Sequence, residues 1–560
     1  MKKLLWTTTF VVIFFLCSTV SAAAVVNDTV KVGLRYGSDA LFSANLENAV
    51  GEGYAFGYFD EDRSFVSLGE TDETAISMSA AGTMYMSESG GYSREMPSGT
   101  FRYFGPWHVQ LAGYDSFEDA ASDAGDLDGW VAWISGAYVV RVGGYETREE
   151  AQSAAGELGG SAEQSSATGV LVTRTKSLDV LFEFDCQGTL DLGVLPQGRE
   201  TATWFKGYKY PGGFSYPRIT GGNLNVTNLV ELETYVKGVI PYEMSGSWPL
   251  SALEAQAVCA RTFACRESKH LASYGFDVCA GTDCQVYYGV GSGGAGPTAT
   301  SDEAVDNTAG ECLYYDGAPI RNAVYHSSDG GATEDAYYVW GTETGYLKGK
   351  QDPYESQTTI PNYAYSVTYT ADELTCILQQ KNYDVGTIRN VYVSEFTPLG
   401  NVYKVTFEHD GGTLTVKGDT CRTIFYSSTY NKSVRSLRFT INGASAPSGG
   451  SIGPSTGGGY YVNGSGETLR GLDGASVISG SGTVSKLEGE GASVITSSGT
   501  ATLGGSASNV KSSASGTFTI TGTGYGHNVG MSQYGAKAMA EQGWDYEEIL
   551  HFYFTDVTIE

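Results

Sequence analysis

Residues 229–244 read LVELETYVKGVIPYEM, and residues 248–262 continue with WPLSALEAQAVCART. Residues 236–240 are rich in β-branched side chains, which predicts a short strand that ends at the following proline. Beyond the second proline, apolar residues recur at helical spacing, so a helix is predicted from about residue 250 to residue 270. Glu243 is therefore expected on a turn between a strand and a helix.

Glu243 has apolar and aromatic neighbours in the sequence, namely Tyr242, Met244 and Trp248. Such surroundings disfavour the charged form of a carboxyl group, so a raised pKa is predicted, as a general acid needs near neutral pH. A glutamate on a turn is also often a solvated surface residue or a charge at a helix start. Spacing alone leaves these interpretations open.

The whole chain is long, rich in apolar residues and strongly acidic. Its 560 residues exceed what one hydrophobic core usually organises, which predicts two to four domains. Hydrophobic residues make up 41% and aromatic residues 12%, which excludes a wholly disordered chain. The net charge of −29 repels phosphate backbones, so nucleic acid is a poor partner, and a neutral or sugar-like substrate remains open.

The N-terminus has the order of a secretory signal peptide: the basic residues of MKK, an apolar stretch and then three alanines. We expect residues 1–24 to be cleaved and the remaining chain to be secreted or to face the cell wall. An uncleaved membrane anchor is the alternative, because no residue from 4 to 26 is charged. Eight of the nine cysteines follow this leader, and an even number suits disulfides in an oxidising compartment.

Composition and short motifs divide the rest of the chain into three parts. A small β region is predicted for residues 25–102, a compact α/β unit for residues 103–160, and a mixed α/β region for residues 166–560. A Gly- and Ser-rich insertion interrupts the last region at about residues 443–512. The pentapeptide GASVI occurs twice in the insertion, which predicts a small β structure with a two-fold repeat or, alternatively, a flexible spacer.

The unit at residues 103–160 contains an internal repeat. Residues 108–114 read HVQLAGY and residues 138–145 read YVVRVGGY, and each precedes a helical segment that opens with Ser or Thr. The pattern resembles a SPOR (sporulation-related) repeat domain, a family that binds peptidoglycan glycan strands without stem peptides. From the residues alone, a generic ferredoxin-like fold with no inherited function is the alternative.

A second resemblance rests on phrases that follow one another along the chain. Besides the two opening stretches, these are CQVY at 284–287, YHSSDGGATE at 325–334, YL at 346–347 and GYGHNVGMSQYGA at 524–536. In this order they resemble the SpoIID/LytB family, with core motifs at 228–356 and 520–560. Together the two resemblances imply an α+β, multidomain protein: a small ferredoxin-like SPOR domain and a mixed α/β SpoIID-like domain with a β-rich insertion.

The SpoIID/LytB resemblance implies an activity on the bacterial cell wall. Members similar to stage II sporulation protein D are lytic transglycosylases, which cleave the MurNAc–GlcNAc bond of stem-peptide-free glycan to 1,6-anhydro-muramyl products. Their essential acid is the Glu of the Pro-x-Glu-Met phrase, which is Glu243 here. Other members are named as modifiers of a cell-wall amidase. The alternative is therefore a non-catalytic, glycan-binding activator of an N-acetylmuramoyl-L-alanine amidase.

Polar side chains in the matching phrases are the candidates for substrate binding. They are Gln256, Arg261, Gln285, Tyr287, His326, Ser327, Ser328, His527 and Gln533. Arg261 is expected to orient Glu243 or bind substrate, with a salt bridge from the long helix as the alternative. The two histidines are expected to bind sugar or transfer a proton, with a hydrogen bond to a loop carbonyl as the alternative.

His270, Cys279 and Cys284 form the metal candidate, although the proposed reaction requires no cofactor. Family members often carry a histidine immediately before the second cysteine, where this chain has Asp283. These side chains suit tetrahedral zinc, whereas Cys279 and Cys284 by themselves suit a small disulfide loop. Both interpretations remain open on the sequence.

Overall fold

The structure, a computed structural model, describes seven long segments and six short strands of the insertion. The segments are residues 28–48, 51–198, 202–218, 221–266, 269–292, 296–442 and 516–560. These residues form a mixed α/β protein in which sheets dominate the N-terminal part and helices surround a buried central helix. The predicted leader at residues 1–24 and most of the predicted insertion lie outside the described residues.

Eleven α-helices occur in the described part of the chain. They are α1 (Phe117–Asp126), α2 (Arg148–Leu158), α3 (Leu232–Glu243), α4 (Leu250–Ala264), α5 (Leu271–Tyr274), α6 (Ala299–Asn307), α7 (Ala336–Trp340), α8 (Ala371–Gln380), α9 (Thr420–Thr423), α10 (Gln533–Glu541) and α11 (Tyr546–Tyr553). Short 3₁₀-helices lie at Gly37–Asp39 and Glu355–Gln357. Within this set, no helix is long and apolar enough to cross a membrane.

Two large sheets form the N-terminal part. In spatial order, the seven-stranded sheet consists of Val278–Cys279, Thr29–Arg35, Val226–Glu231, Gly213–Tyr216, Leu192–Pro196, Tyr54–Phe59 and Phe65–Thr71. The ten-stranded sheet consists of Ser161–Gln164, Trp107–Tyr114, Ala137–Tyr145, Gly129–Ile134, Val180–Asp185, Val170–Arg174, Ala75–Ala80, Ser43–Glu47, Ala202–Phe205 and Tyr208–Pro211. Stacked Phe56 and Phe182, with ring centroids 5.3 Å apart, join the two sheets through a shared apolar core.

The remaining strands form small sheets. They are Met84–Ser87 with Tyr92–Ser93 and Phe101–Phe104; Leu313–Tyr315 with Ala318–Pro319 and Thr558–Ile559; Tyr325–His326 with Met531–Ser532; Ala364–Thr370 with Thr517–Thr523 and Phe439–Ile441; and Ile388–Phe396 with Val402–His409 and Gly412–Lys417. Phe439–Ile441 and Thr517–Thr523 are neighbours in one sheet. The chain therefore enters and leaves the insertion at adjacent strands, and the motifs on either side of the insertion belong to one body.

Six short strands of the insertion form three antiparallel hairpins. They are Tyr460–Val462 with Thr468–Arg470, Ser476–Ile478 with Val484–Lys486, and Ala492–Thr496 with Gly499–Leu503. The second and third hairpins each begin within a copy of GASVI. The repeated pentapeptide thus coincides with a repeated hairpin.

The strand Ser161–Gln164, just beyond the predicted unit at residues 103–160, completes the element order βαββαβ; this fourth strand lies beside the first, followed by the third and the second. The helices of the unit begin where their caps predict, because Ser116 accepts from the N–H of Asp119 and Thr147 forms a capping box with Glu150. The sheet does not end at the unit. Gly129–Ile134 pairs in parallel with Val180–Asp185, so the unit shares a sheet with the regions before and after it.

The strand predicted at residues 236–240 is wrong, because these residues belong to helix α3. Leu232, Tyr235, Val236 and Val239 are buried at helical spacing, and packing of this face against α4 outweighs the strand preference of β-branched residues. Helix α4 ends at Ala264, earlier than predicted. Glu243 is therefore the last residue of a helix that precedes another helix.

Candidate active site

A cavity of about 680 Å³ lies at the C-terminal end of α3, within the size range of small-molecule sites. It is lined by six of the residues predicted from sequence, namely Glu243, Cys284, His326, Ser327, His527 and Gln533. The other lining residues are Phe263, Arg266, Lys269, Thr282, Asp283, Val286, Asn322, Val324, Tyr325, Trp340, Tyr525 and Gly526. Side chains from motifs almost 300 residues apart in the sequence therefore face one space.

A short parallel pairing brings the early and late motifs together. Tyr325 pairs with Met531 and His326 with Ser532, so the YHSS phrase lies directly beside the start of α10. Ser532 caps α10 by accepting a hydrogen bond from the N–H of Gly535 at 3.1 Å. This pairing places His326 and Gln533 on the same cavity wall.

Glu243 is half-buried and receives three hydrogen bonds. The N–H of Val286 lies 3.4 Å from its Oε1, the amide nitrogen of Gln533 lies 3.5 Å from its Oε2, and the hydroxyl of Tyr325 is the third donor. Burial raises the pKa of Glu243 above its ordinary value, and the three donors offset part of this rise. The carboxyl group thus combines a fixed position with an increased tendency to hold a proton.

Two predicted glutamines position the donors around Glu243. Gln256 is buried on α4, and its Oε1 accepts from the amide of Gln533 at 3.3 Å. Gln285 is also buried and donates to the hydroxyl of Tyr325 at 3.1 Å. Both therefore support a neighbour of Glu243. Tyr325 itself was missed as a candidate, although it opens the YHSS phrase.

Three predicted residues point away from the cavity. Tyr287 is buried, and its hydroxyl donates to Asn228 at 3.0 Å. The guanidinium of Arg261 binds both oxygens of Glu233 at 2.8 and 2.6 Å, so the structure shows the alternative salt bridge and no bond to Glu243. Ser328 donates to Glu355 at 3.1 Å. These side chains stabilise the walls behind the site.

The two histidines line the cavity as neutral rings. Nδ1 of His326 donates to the carbonyl of Val529 at 3.1 Å, and burial holds the pKa of His326 well below its ordinary value. Burial also lowers the pKa of His527 to about 4, while its Nδ1 accepts from the N–H of Val529 at 3.1 Å. The hydrogen bond to a loop carbonyl is present for His326, whereas His527 accepts from a loop N–H, and both rings nevertheless face the cavity.

A buried glutamate that the sequence analysis missed connects two loops of the site. Glu355 accepts from the hydroxyls of Ser328 and Ser532, at 3.1 and 2.5 Å, and from the backbone N–H groups of Asp329 and Gly330, at 2.6 and 3.0 Å. Ser532 immediately precedes Gln533. Glu355 therefore fastens the loop after the YHSS phrase to the start of α10.

Two further carboxyl groups, Asp329 and Asp352, lie with Glu355 in a buried cluster. Asp352 accepts from the N–H groups of Tyr354 and Glu355 and from the hydroxyl of Tyr553 at 2.7 Å. Burial and the neighbouring carboxyl groups raise the pKa of Asp329 well above its ordinary value. A protonated Asp329 keeps three adjacent carboxyl groups from being ionised together.

Asn528 occupies the position where the resembled family more usually has glycine. Its φ of 67° lies in the left-handed region, which asparagine tolerates better than most residues. Its side-chain amide donates to the carbonyl of Asp329 at 2.5 Å, and its Oδ1 accepts from the N–H of Leu437 at 3.2 Å. The substitution therefore keeps the loop conformation and adds hydrogen bonds.

The predicted metal residues lie together beside the cavity. One ligand atom each of His270, Cys279 and Cys284 lies within 4.8 Å of the others, and Oδ2 of Asp283 lies 3.3 Å from Nε2 of His270. The two cysteines are separate thiols in the structure. A hydrogen bond from Cys284 is the main cause that lowers the pKa of Cys279 to about 5. An imidazole, two sulfurs and a carboxylate fit tetrahedral zinc.

Comparison with known proteins supports the resemblance in the region of this site. Residues 220–315, which include Glu243 and the cysteine cluster, match the family model described as SpoIID: Stage II sporulation protein. These findings support the SpoIID family. The SpoIID match does not reach residues 103–160, where the SPOR resemblance stays a prediction.

Curated relatives extend the similarity beyond the matched region. A Bacillus subtilis (strain 168) protein named amidase enhancer is 32% identical over 329 residues, which are 58% of this chain and 40% of that protein. Stage II sporulation protein D of the same organism is 26% identical over 356 residues, 62% of this chain and 78% of that protein. An uncharacterized protein of Brachyspira hyodysenteriae is 29% identical over 336 residues, with shares of 60% and 68%.

Proposed function

We propose that this protein is a lytic transglycosylase that cleaves peptidoglycan glycan strands lacking stem peptides, and that Glu243 is its acid. The observation that carries the proposal is the position of Glu243. It lies in the SpoIID match, on the wall of a cavity of about 680 Å³, with a pKa raised by burial. We further propose that the protein acts outside the cytoplasm and that residues 103–160 bind glycan.

The proposed reaction needs one carboxyl group in two roles. Protonated Glu243 gives its proton to the oxygen that bridges MurNAc and GlcNAc, and the bond from that oxygen to the muramyl anomeric carbon breaks. The Glu243 carboxylate then takes the proton of the muramyl C6 hydroxyl as that oxygen bonds to the anomeric carbon. The products are a 1,6-anhydro-muramyl end and a free GlcNAc hydroxyl, and no water is consumed.

The surroundings of Glu243 suit a transition state with positive charge on the sugar ring. Neutral His326 and His527 add no positive charge of their own, Ser327 and Gln533 offer polar groups, and the cations of the lining are Arg266 and Lys269. The other carboxyl group among the described lining residues is Asp283, which binds Lys269 at 2.8 Å. This arrangement favours a single acid over the paired carboxylates of ordinary glycosidases.

Zinc, if bound by His270, Cys279, Cys284 and Asp283, would supply structural cross-linking rather than reaction chemistry. Cys284 lies two residues before Val286, whose N–H donates to Glu243. A fixed conformation of the loop that contains Cys284 and Val286 therefore helps to fix the position of Glu243.

A non-catalytic activator of an N-acetylmuramoyl-L-alanine amidase is the second candidate. The observation that favours it is the 32% identity with the protein named amidase enhancer. In that case the cavity would bind glycan without cleaving it, and a cell-wall amidase would be the partner.

Amidase-treated sacculi distinguish the two candidates. We expect the wild-type protein to release muropeptides with the mass of 1,6-anhydro ends, and Glu243→Gln to release none, because the amide has no transferable proton. Glu541→Gln, an exposed change outside the cavity, is the matched control and should keep full activity. If the protein is an activator, the wild type and Glu243→Gln should instead raise the rate of an added amidase equally, and neither should release anhydro products.

A further inference from the structure

Two cationic side chains, Arg266 and Lys269, line the cavity that contains Glu243. The charge of Lys269 is paired, since its Nζ lies 2.8 Å from Oδ1 of Asp283. No carboxylate among the described residues pairs with Arg266, although acidic residues outnumber basic ones by 63 to 34 in this chain. Of the two cationic side chains in the described lining of the cavity, Arg266 is therefore the one that is available to a ligand.

The guanidinium of Arg266 is held in place by an aromatic ring. Its Cζ lies 3.6 Å from the centroid of the Phe263 ring, and its Nε is buried without a hydrogen-bond partner in the described structure. Because the buried Nε is closed off from the cavity, the terminal Nη groups are the donors of Arg266 that a ligand in the cavity can meet. A planar guanidinium fixed by stacking is well suited to bind a carboxylate with two parallel hydrogen bonds.

We propose that Arg266 binds the free lactyl carboxylate of a muramyl residue and thereby selects glycan from which stem peptides have been removed. The inference rests on the proposed function. In intact peptidoglycan the lactyl group is an amide of the first amino acid, and amidase hydrolysis converts this amide into a carboxylate. The amide has no charge and carries the peptide, so it cannot form the same charge-assisted pair. A local cation also offsets the repulsion that a chain of net charge −29 exerts on an anionic glycan.

The test compares two glycans that differ only at the lactyl group. The first is amidase-treated glycan, and the second is the same material with its lactyl carboxylates converted to primary amides. The wild-type kcat/KM should be lower on the amidated glycan by about tenfold or more, mainly through KM, because the charge-assisted pair with Arg266 is lost. Arg266→Gln should lose about the same factor on the carboxylate glycan and treat both alike. Arg266→Lys should retain part of the preference.

Arg389→Gln is the matched control, because Arg389 is exposed and pairs with Asp410 on the strand-rich part of the chain. It should keep the full preference of the wild type. Equal wild-type rates on both glycans, or a preference that persists in Arg266→Gln, would overturn the role of Arg266 and leave Glu243-dependent cleavage standing. Thermal melting checks the fold of each variant. If Arg266→Gln does not fold, Arg266→Lys and the wild type decide the question.

Failure of the proposed function is recognised separately. If the wild type releases no anhydro products from either glycan, equilibrium binding measures the preference for the carboxylate glycan instead. The affinities of the two glycans are then compared for the wild type and for Arg266→Gln. Tighter binding of the carboxylate glycan that depends on Arg266 supports the recognition site in a non-catalytic protein. Equal binding overturns it.

Discussion

At the scale of single residues, burial and the hydrogen bonds that oppose its effect determine how readily Glu243 holds a proton. Burial favours the neutral acid, whereas the donors Val286, Gln533 and Tyr325 favour the carboxylate. The proposed reaction needs both forms in turn. The balance of these effects is therefore expected to set the pH range of activity.

Tyr325→Phe removes one donor from the Glu243 carboxylate. Because that donor stabilises the charged form, its loss should raise the pKa of Glu243 further and move the alkaline limb of kcat/KM upward by as much as about one pH unit. The pH profile of anhydro-muropeptide release measures the shift. Tyr337→Phe, at an exposed tyrosine of α7, should leave the profile unchanged. An alkaline limb that moves downward would contradict this account.

The cysteine cluster is expected to hold zinc, since the Cys279 thiol has a pKa of about 5 and a thiolate is the form that binds metal. The purified protein should contain about one zinc per chain by plasma mass spectrometry, as one four-ligand site requires. Cys279→Ser should lower both the zinc content and the activity. Cys376→Ser, at a half-buried cysteine elsewhere, is the control. Metal-free protein that loses two thiols per chain to oxidation would instead indicate the disulfide.

At the scale of elements, Glu355 ties the loop after the YHSS phrase to the start of α10. Its two oxygens receive four donors, so Glu355→Gln would turn an amide donor toward groups that need an acceptor. We expect a loss of about 1–3 kcal/mol in unfolding free energy and a larger fall in kcat than in KM. Urea unfolding and steady-state kinetics measure the two effects. Glu343→Gln, at an exposed loop, should change neither.

At the scale of the whole molecule, a buried ion pair joins the unit at residues 103–160 to the rest of the large sheet. Arg141 binds Glu183 at 2.5 Å, and the indole of Trp130 donates to the same carboxylate at 3.1 Å. Arg141 lies inside the unit and Glu183 beyond it. The unit is therefore expected to depend on the neighbouring region for its stability.

Glu183→Gln leaves the Arg141 charge buried without its partner, and about 3 kcal/mol of stability should be lost. Replacing both residues together, as Arg141→Met with Glu183→Leu, should recover most of that loss because no unpaired charge remains. Unfolding free energies of the wild type, Arg141→Met, Glu183→Leu and the double variant form the cycle that measures the coupling. Simple additivity of the single losses would show that the pair does not act as a unit.

Local features of this protein could be predicted from its sequence. The caps at Ser116 and Thr147, the spacing that brings His270, Cys279 and Cys284 together, and the apolar neighbours of Glu243 all lie within short stretches. Short-range contacts leave a periodic or compositional signal, so reading them requires no knowledge of the fold. The direction of the pKa shift of Glu243 was predicted from its apolar neighbours, and the burial that causes the shift is set by the fold.

Long-range pairing was decided only in the tertiary structure. The strand preference of residues 236–240 gave way to a helix because one helical face could be buried against α4, and the partners of Arg261 and Ser328 are set by elements distant in sequence. The pairing of Tyr325 with Met531 has no local signal, and neither does the pairing of Gly129–Ile134 with Val180–Asp185 within the large sheet. The sequence by itself determined which chemical groups are present, and packing determined which of them face Glu243, because burial is a property of the whole folded chain.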